Sequence, residues 1–222
     1  MAGTYADIRD KKNELIRRAK DGSVFVAEMD VTPPTAITST SSATLLTLDP
    51  ADWTDLGWFN TDGVTYDRET DQVEMQSFGS SEPTRSDVTR DEISMSCTAQ
   101  ETKALTMGIT TGSDIAAILA NSTTGEVQIA KPTRPKLRFY RVLGLFLDHD
   151  DNGDEIYFGR LMPRAQVADF GSQGYNEDES GISYPMTWRG KEDSTLGYSH
   201  KWFWGGKGWK ALLTDMGIAN AP

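Results

Sequence analysis

The chain has 222 residues, with 33 acidic against 22 basic side chains and a formal net charge of −11. A surface this acidic does not neutralise phosphates, which excludes sequence-independent nucleic-acid binding. A single cysteine excludes an internal disulfide, and no run of 18 apolar residues is present to cross a membrane as a helix.

The length fits one large β-domain or two small ones. The opening stretch MAGTYADIRDKKNELIRRAK lacks the apolar core of a secretory signal. Residues 5–20 read as a helix, with Ile8, Leu15, Ile16 and Ala19 as a thin apolar stripe and Asp7/Lys11 and Glu14/Arg18 as i, i+4 pairs. Asp21-Gly22 ends it. SVFVAEMD, residues 23–30, reads as a strand, and VTPPTAITSTSSATLLTLDP as a loop or irregular edge.

Strand signals dominate the middle. GWFNTDGVTYD places Asn60-Thr61-Asp62-Gly63 between two β-prone runs and predicts a hairpin there. SFGSSEPTRSDVTRDE is too polar to hold itself in a core and reads as part of a loop-rich segment, residues 57–90. DEISMSCTA alternates, with Ile93, Met95, Cys97 and Ala99 on one face and Ser94, Ser96 and Thr98 on the other. GISYPMTWR does the same with Ile182, Tyr184, Met186 and Trp188; its Pro185 marks an edge strand, or a residue facing away from its neighbour. Short helices are expected near residues 101–107, in GSDIAAILANS, and in WKALLTDMG near the end. With no internal repeat and no clear linker, the chain divides into an N-terminal helical arm (1–22), a β-domain (23–200) and a C-terminal Trp-rich extension (201–222).

One stretch has the look of a metal loop. In FLDHDDNGDEIYFG, Asp148, Asp150 and Asn152 are spaced as the first ligands of an EF-hand, with Gly153 at the sharp turn. The flanks are strand-like, however, and the twelfth position, which needs a bidentate Glu, is Gly159. A hairpin tip with a solvated acidic end (Asp148, Asp150, Asp151, Asp154, Glu155) is the simpler reading; Asp148, Asp150 and Asn152 stay as weak cation candidates. The two histidines, His149 and His200, lack any metal-ligand spacing, Cys97 lies on an apolar strand face, and GGKG (205–208) has no Ser or Thr after its lysine. No catalytic group and no cofactor is expected. The aromatic cluster Trp202, Phe203, Trp204 and Trp209 either caps the chain's own core or anchors a neighbouring subunit.

Four stretches in order carry a family likeness: WTDLGWFNTDGVTYDRETDQVEMQSFG, ISMSCTAQETKAL, LGLFLDHDDNGDEIYFGRLMPRAQV and GISYPMTWRG. Across about residues 52–189 the chain resembles the major tail proteins (tail tube proteins) of long-tailed, non-contractile phages, above all those infecting actinobacteria. The resemblance implies a mainly β, sandwich or barrel-like fold with a flanking α-helix, whose strands join an inter-subunit barrel. It implies stacked, hexameric rings forming a hollow tube for genome ejection. The implied partners are further copies of the chain, a tape measure protein and tail terminator and tip proteins, with DNA only a passenger. Localisation in the virion tail after assembly in the host cytoplasm follows. Subunit-interface candidates on this reading are Trp202, Phe203, Trp204, Trp209, Asp62, Tyr66, Glu82 and Arg85. The competing class is a monomeric β-sandwich that binds a ligand or decorates a capsid.

Overall fold

The period-2 alternation that dominates the sequence becomes one antiparallel sheet of eight strands in the computed structural model, which describes residues 4–134, 138–175, 177 and 181–219. The strands are β1 (Asp21–Ala27), β2 (Thr54–Asp55), β3 (Phe59–Met75), β4 (Arg85–Ala99), β5 (Tyr140–His149), β6 (Glu155–Phe170), β7 (Tyr184–Lys191) and β8 (Lys201–Gly205). They lie in the order β2-β1-β5-β6-β7-β4-β3, with β8 also paired to β6. The expected ends of the terminal arms (1–3 and 220–222) and residues 136–137 of the strand read before the acidic tip lie outside the described residues.

Both faces of this sheet are used. On one face Val24 and Val26 of β1, Met95, Cys97 and Ala99 of β4, Tyr140 and Val142 of β5, Met162 and Ala165 of β6, and Met186 and Trp188 of β7 form a single buried cluster. Strands from opposite ends of the sheet share that cluster, so the sheet folds over on itself as a sandwich. Tyr140 and Trp188 meet edge-to-face at 5.9 Å. The short helix α2 (Ala104–Thr111) adds Leu105 and Ile109 to the same cluster. It ends at Gly112, whose left-handed φ of 69° lets its N–H reach back to the last turn. On the other face Ala27, Leu143, Tyr157, Leu161 and Phe203 pack with Ile37 of the Ser/Thr/Pro-rich loop, flanked by its Val31 and Leu48, and with Trp53 just after it. That loop is therefore the lid of a second core. Arg141 pins it down, donating to the Met29 carbonyl at 3.0 Å and pairing with buried Asp193 at 3.1 Å.

Several expectations change. The helix over 5–20 reduces to one turn, α1 (Tyr5–Ile8), and a 3-10 turn at Asn13–Leu15. Ile8 and Ile16 of its stripe remain exposed and Leu15 is half-buried; a helix draws most of its stability from packing such a stripe, and most of this one packs on nothing among the described residues. Asn60–Gly63 makes no hairpin: it is a bulge inside β3, where the register jumps between Phe59 and Val64. Chain reversal comes later, so the loop-rich segment 57–90 is mostly one long β-ribbon. Pro185 does not lie on an edge strand, because β7 is paired on both sides. Its carbonyl accepts from Gly171 just past the end of β6, so the missing N–H points where the ladder has already run out. Ile182 precedes that strand, the expected helix in 112–122 is a 3-10 turn at Ile115–Ala117, and the last helix, α3, spans Lys207–Leu212. Residues 201–205 are a strand of the sheet rather than the start of a detached extension.

Burial pushes the Cys97 thiol up to about 12. It should react slowly with a bulky thiol reagent in the native protein and fast in denaturant; equal rates would contradict the register of β4.

Candidate assembly surface

The β3–β4 ribbon outruns the sheet that carries it. β7 supports β4 only over Ser94–Ala99, and Ser94 lies opposite Asp67. Beyond that point the two strands pair only with each other, and every residue from Asp67 to Thr89 is exposed. At about 3.4 Å per residue the ribbon projects roughly 25–30 Å. Its turn is closed by the Thr84 N–H on the Met75 carbonyl at 2.8 Å. Val73, Met75 and Val88 are exposed along it, and Phe78 in the turn touches nothing of its own chain that hides it. Arg68 grips Asp91 through two hydrogen bonds, of 2.7 and 2.5 Å.

Where the ribbon leaves the sheet, Glu92 is a clamp. It accepts from Arg90 at 2.6 Å and from Lys191 of β7 at 2.9 Å, and Arg189 lies at 3.4 Å. The Lys191 and Arg90 hydrogen bonds hold its carboxyl well below the usual 4.5, at about 2. Beside the clamp an open cleft of about 440 Å³ is lined by Arg68, Asp91, Tyr198, His200 and Trp202 among others.

The predicted interface residues fall in three places and are not brought together. Glu82 and Arg85 sit at the exposed ribbon tip, with Arg85 paired to Asp87 at 2.8 Å. Asp62 is exposed in the β3 bulge, accepting from the Asn60 amide at 2.8 Å. Trp202 and Trp204 are exposed on one face of β8, while alternation turns Phe203 inward, to 8% exposure. Trp209 stacks against Trp204 and is half-buried. Tyr66 is also turned into its own chain. Its ring lies 3.9 Å under the Arg160 guanidinium and edge-on to Phe146, and a Cβ at Gly144 would strike its hydroxyl. Arg160 donates to His200 at 3.2 Å. Burial, with the Arg160 charge, holds that imidazole near 4 and therefore neutral at neutral pH. The apolar side chains of the ribbon were missed in sequence. The alternation of Val73 and Met75 about Glu74 was the available signal, hidden by the polar residues around it.

The tip after β5 is a hairpin, but its three candidate ligands face different ways. Asp148 is buried, not solvated: Arg17 and Lys20 approach it at 3.6 and 3.5 Å, and it accepts the Arg18 N–H at 3.1 Å. Asp150 spends one oxygen on the Asn152 and Asp154 N–H groups, at 2.9 and 2.8 Å. Asn152 is turned back toward Asp150. Among the described residues no group of three or more His, Cys, Asp or Glu converges as a metal cage would, and no helix is long and apolar enough to cross a membrane.

The chain matches the family described as phage tail tube protein over residues 10–194. No curated protein matches it.

Because the Glu92 carboxyl is depressed in the folded state, its contribution is complete above pH 4.5 and is lost as pH falls through about 2. With Glu92 partly open to solvent this is on the order of 1–2 kcal/mol. Glu92→Gln should lower Tm by about 2–6 °C at neutral pH, a gap that closes as both proteins are acidified; a gap independent of pH would show that the clamp does not act through charge. Millimolar calcium should leave Tm unchanged, and a rise of several degrees would place a cation at the 150–154 turn.

Proposed function

The chain belongs to the phage tail tube protein family, and on that premise we propose that its copies close into hexameric rings, which stack as the hollow tube of a long, non-contractile tail and conduct the genome during ejection. As a member of that family it is a structural component of the phage tail that self-assembles into a tube, and the family is not one of enzymes.

The observation that carries the finer reading is the ribbon: a long two-stranded element with exposed apolar side chains, attached to a well-packed sandwich that has no use for it. A ring needs a heterologous contact that closes, and stacking needs a second, head-to-tail one. Among the described residues no strand pairs with the outer edge of β3, a hazard in a monomer and a joint when neighbouring sheets merge into a common barrel. The ribbon with the β3 bulge before it, the N-terminal arm and the chain from β8 onward are the proposed contact elements, with Asp62, Glu82, Arg85, Trp202, Trp204 and Trp209 at their surfaces. A net charge of −11 suits a conduit whose wall repels DNA; with a Debye length of about 8 Å at physiological salt only groups near the duplex act on it. Tape measure, terminator and tip proteins would be its other partners and the host cytoplasm its place of assembly.

Replacing residues 76–83 with a two-residue turn removes Phe78 but spares the core. Circular dichroism and Tm should hold, while light scattering and electron micrographs show rings and tubes for the parent chain and none for the variant. A parent chain that stays monomeric would favour the binding or decoration module instead.

A further inference from the structure

We propose that the β3–β4 ribbon of one copy docks on the basic N-terminal segment, residues 5–20, of a second copy; this rests on the assembly reading above. The two segments have matching composition and opposite charge. Between Arg9 and Lys20 six basic side chains stand against Asp10 and Glu14, a net of +4 in a chain whose total is −11. Between Asp67 and Thr89 six carboxylates stand against Arg68 and Arg85, a net of −4. Each also shows apolar side chains to solvent: Tyr5, Ile8 and Ile16 on the segment, Val73, Met75, Phe78 and Val88 on the ribbon.

Neither segment satisfies the other within one chain. The described hydrogen bonds and ion pairs of the segment run to Leu147, Asp148, His149 and Asp215 or stay within it. Those of the ribbon stay within it or run to β7 from its base. Arg9, Lys11 and Arg18 are exposed with no ion-pair partner among the described residues, and so are Asp67, Glu74 and Glu82. The segment is nevertheless held in place, because Lys20 donates to the Leu147 carbonyl at 2.8 Å and Arg17 and Lys20 anchor on buried Asp148. A basic strip anchored at Lys12 and at residues 17–20 is thus presented to a projecting acidic ribbon. Charge steers the encounter and sets the register, and the apolar side chains, Phe78 foremost, supply desolvated contact.

The test is a charge swap in the full chain. Arg9→Glu/Lys11→Glu/Arg18→Glu, and separately Asp67→Lys/Glu74→Lys/Glu82→Lys, should each raise the concentration needed for assembly by about tenfold or more in low salt. The six changes combined in one chain should restore it. Either triple variant assembling like the parent, or the combined variant assembling no better than the triples, overturns the pairing while leaving the tube reading intact; a parent chain that never assembles overturns both. If a variant melts early, mixed Phe78→Cys and size-tagged Ile16→Cys chains decide instead. An oxidised heterodimer supports the contact, and its absence while rings form refutes it.

Discussion

The structure hangs on the two edges of a single strand. β6 runs from Glu155 to Phe170 and pairs with β5 along one edge; on the other it pairs first with β8 and then with β7. A backbone group buried without a partner costs free energy comparable to a lost hydrogen bond, so a strand this long and this buried needs neighbours along both edges. No single strand spans the second edge. The chain supplies β7 at one end and brings β8 back from its C-terminal region to complete the other. The register shift between Val167 and Asp169 helps the sheet bend there. Folding over then lets β1 and β4, far apart in the sheet, share one core.

Putting β8 to this use divides its aromatic residues. Phe203 becomes core material beside Gly159, while Trp202 and Trp204 face out because a strand alternates. Of the Trp-rich stretch, Phe203 thus caps the chain's own core while Trp202 and Trp204 stay open to solvent. The Arg160–Tyr66–His200 cluster, half-buried at Arg160 and Tyr66, lies beneath it and ties β6 to β3, the strand that leaves to form the ribbon.

A two-stranded ribbon is marginal by itself in water, and exposed ion pairs such as Arg68–Asp91 and Arg85–Asp87 contribute little. What directs it is its root: Glu92, held by β7 cations, and the paired stretch from Ser94 to Ala99. Stability is thus concentrated in the sandwich, and the ribbon can be shaped by the demands of a neighbour. An element that costs little to hold and buries nothing at home is well placed to bury its apolar groups elsewhere.

Period-2 patterning was enough to read β4 residue by residue, from Ile93 to Ala99, and to separate the acidic tip from an EF-hand by its strand flanks and Gly159. These are local properties: alternation assigns faces whatever the neighbour is. The positions of Asp148 and Pro185, and the division of the aromatic group, were not local. Asp148 looked solvated until the basic residues Arg17 and Lys20 were laid over it, and Pro185 looked like an edge until β6 stopped beside it. Most of the helical stripe at 5–20, Ile8 and Ile16 above all, met no surface to pack on among the described residues. The turn residues at 60–63 made a bulge because β4 continued opposite them. A sequence states what each segment can bury or pair; only the assembled sheet decides whether a partner is there to receive it.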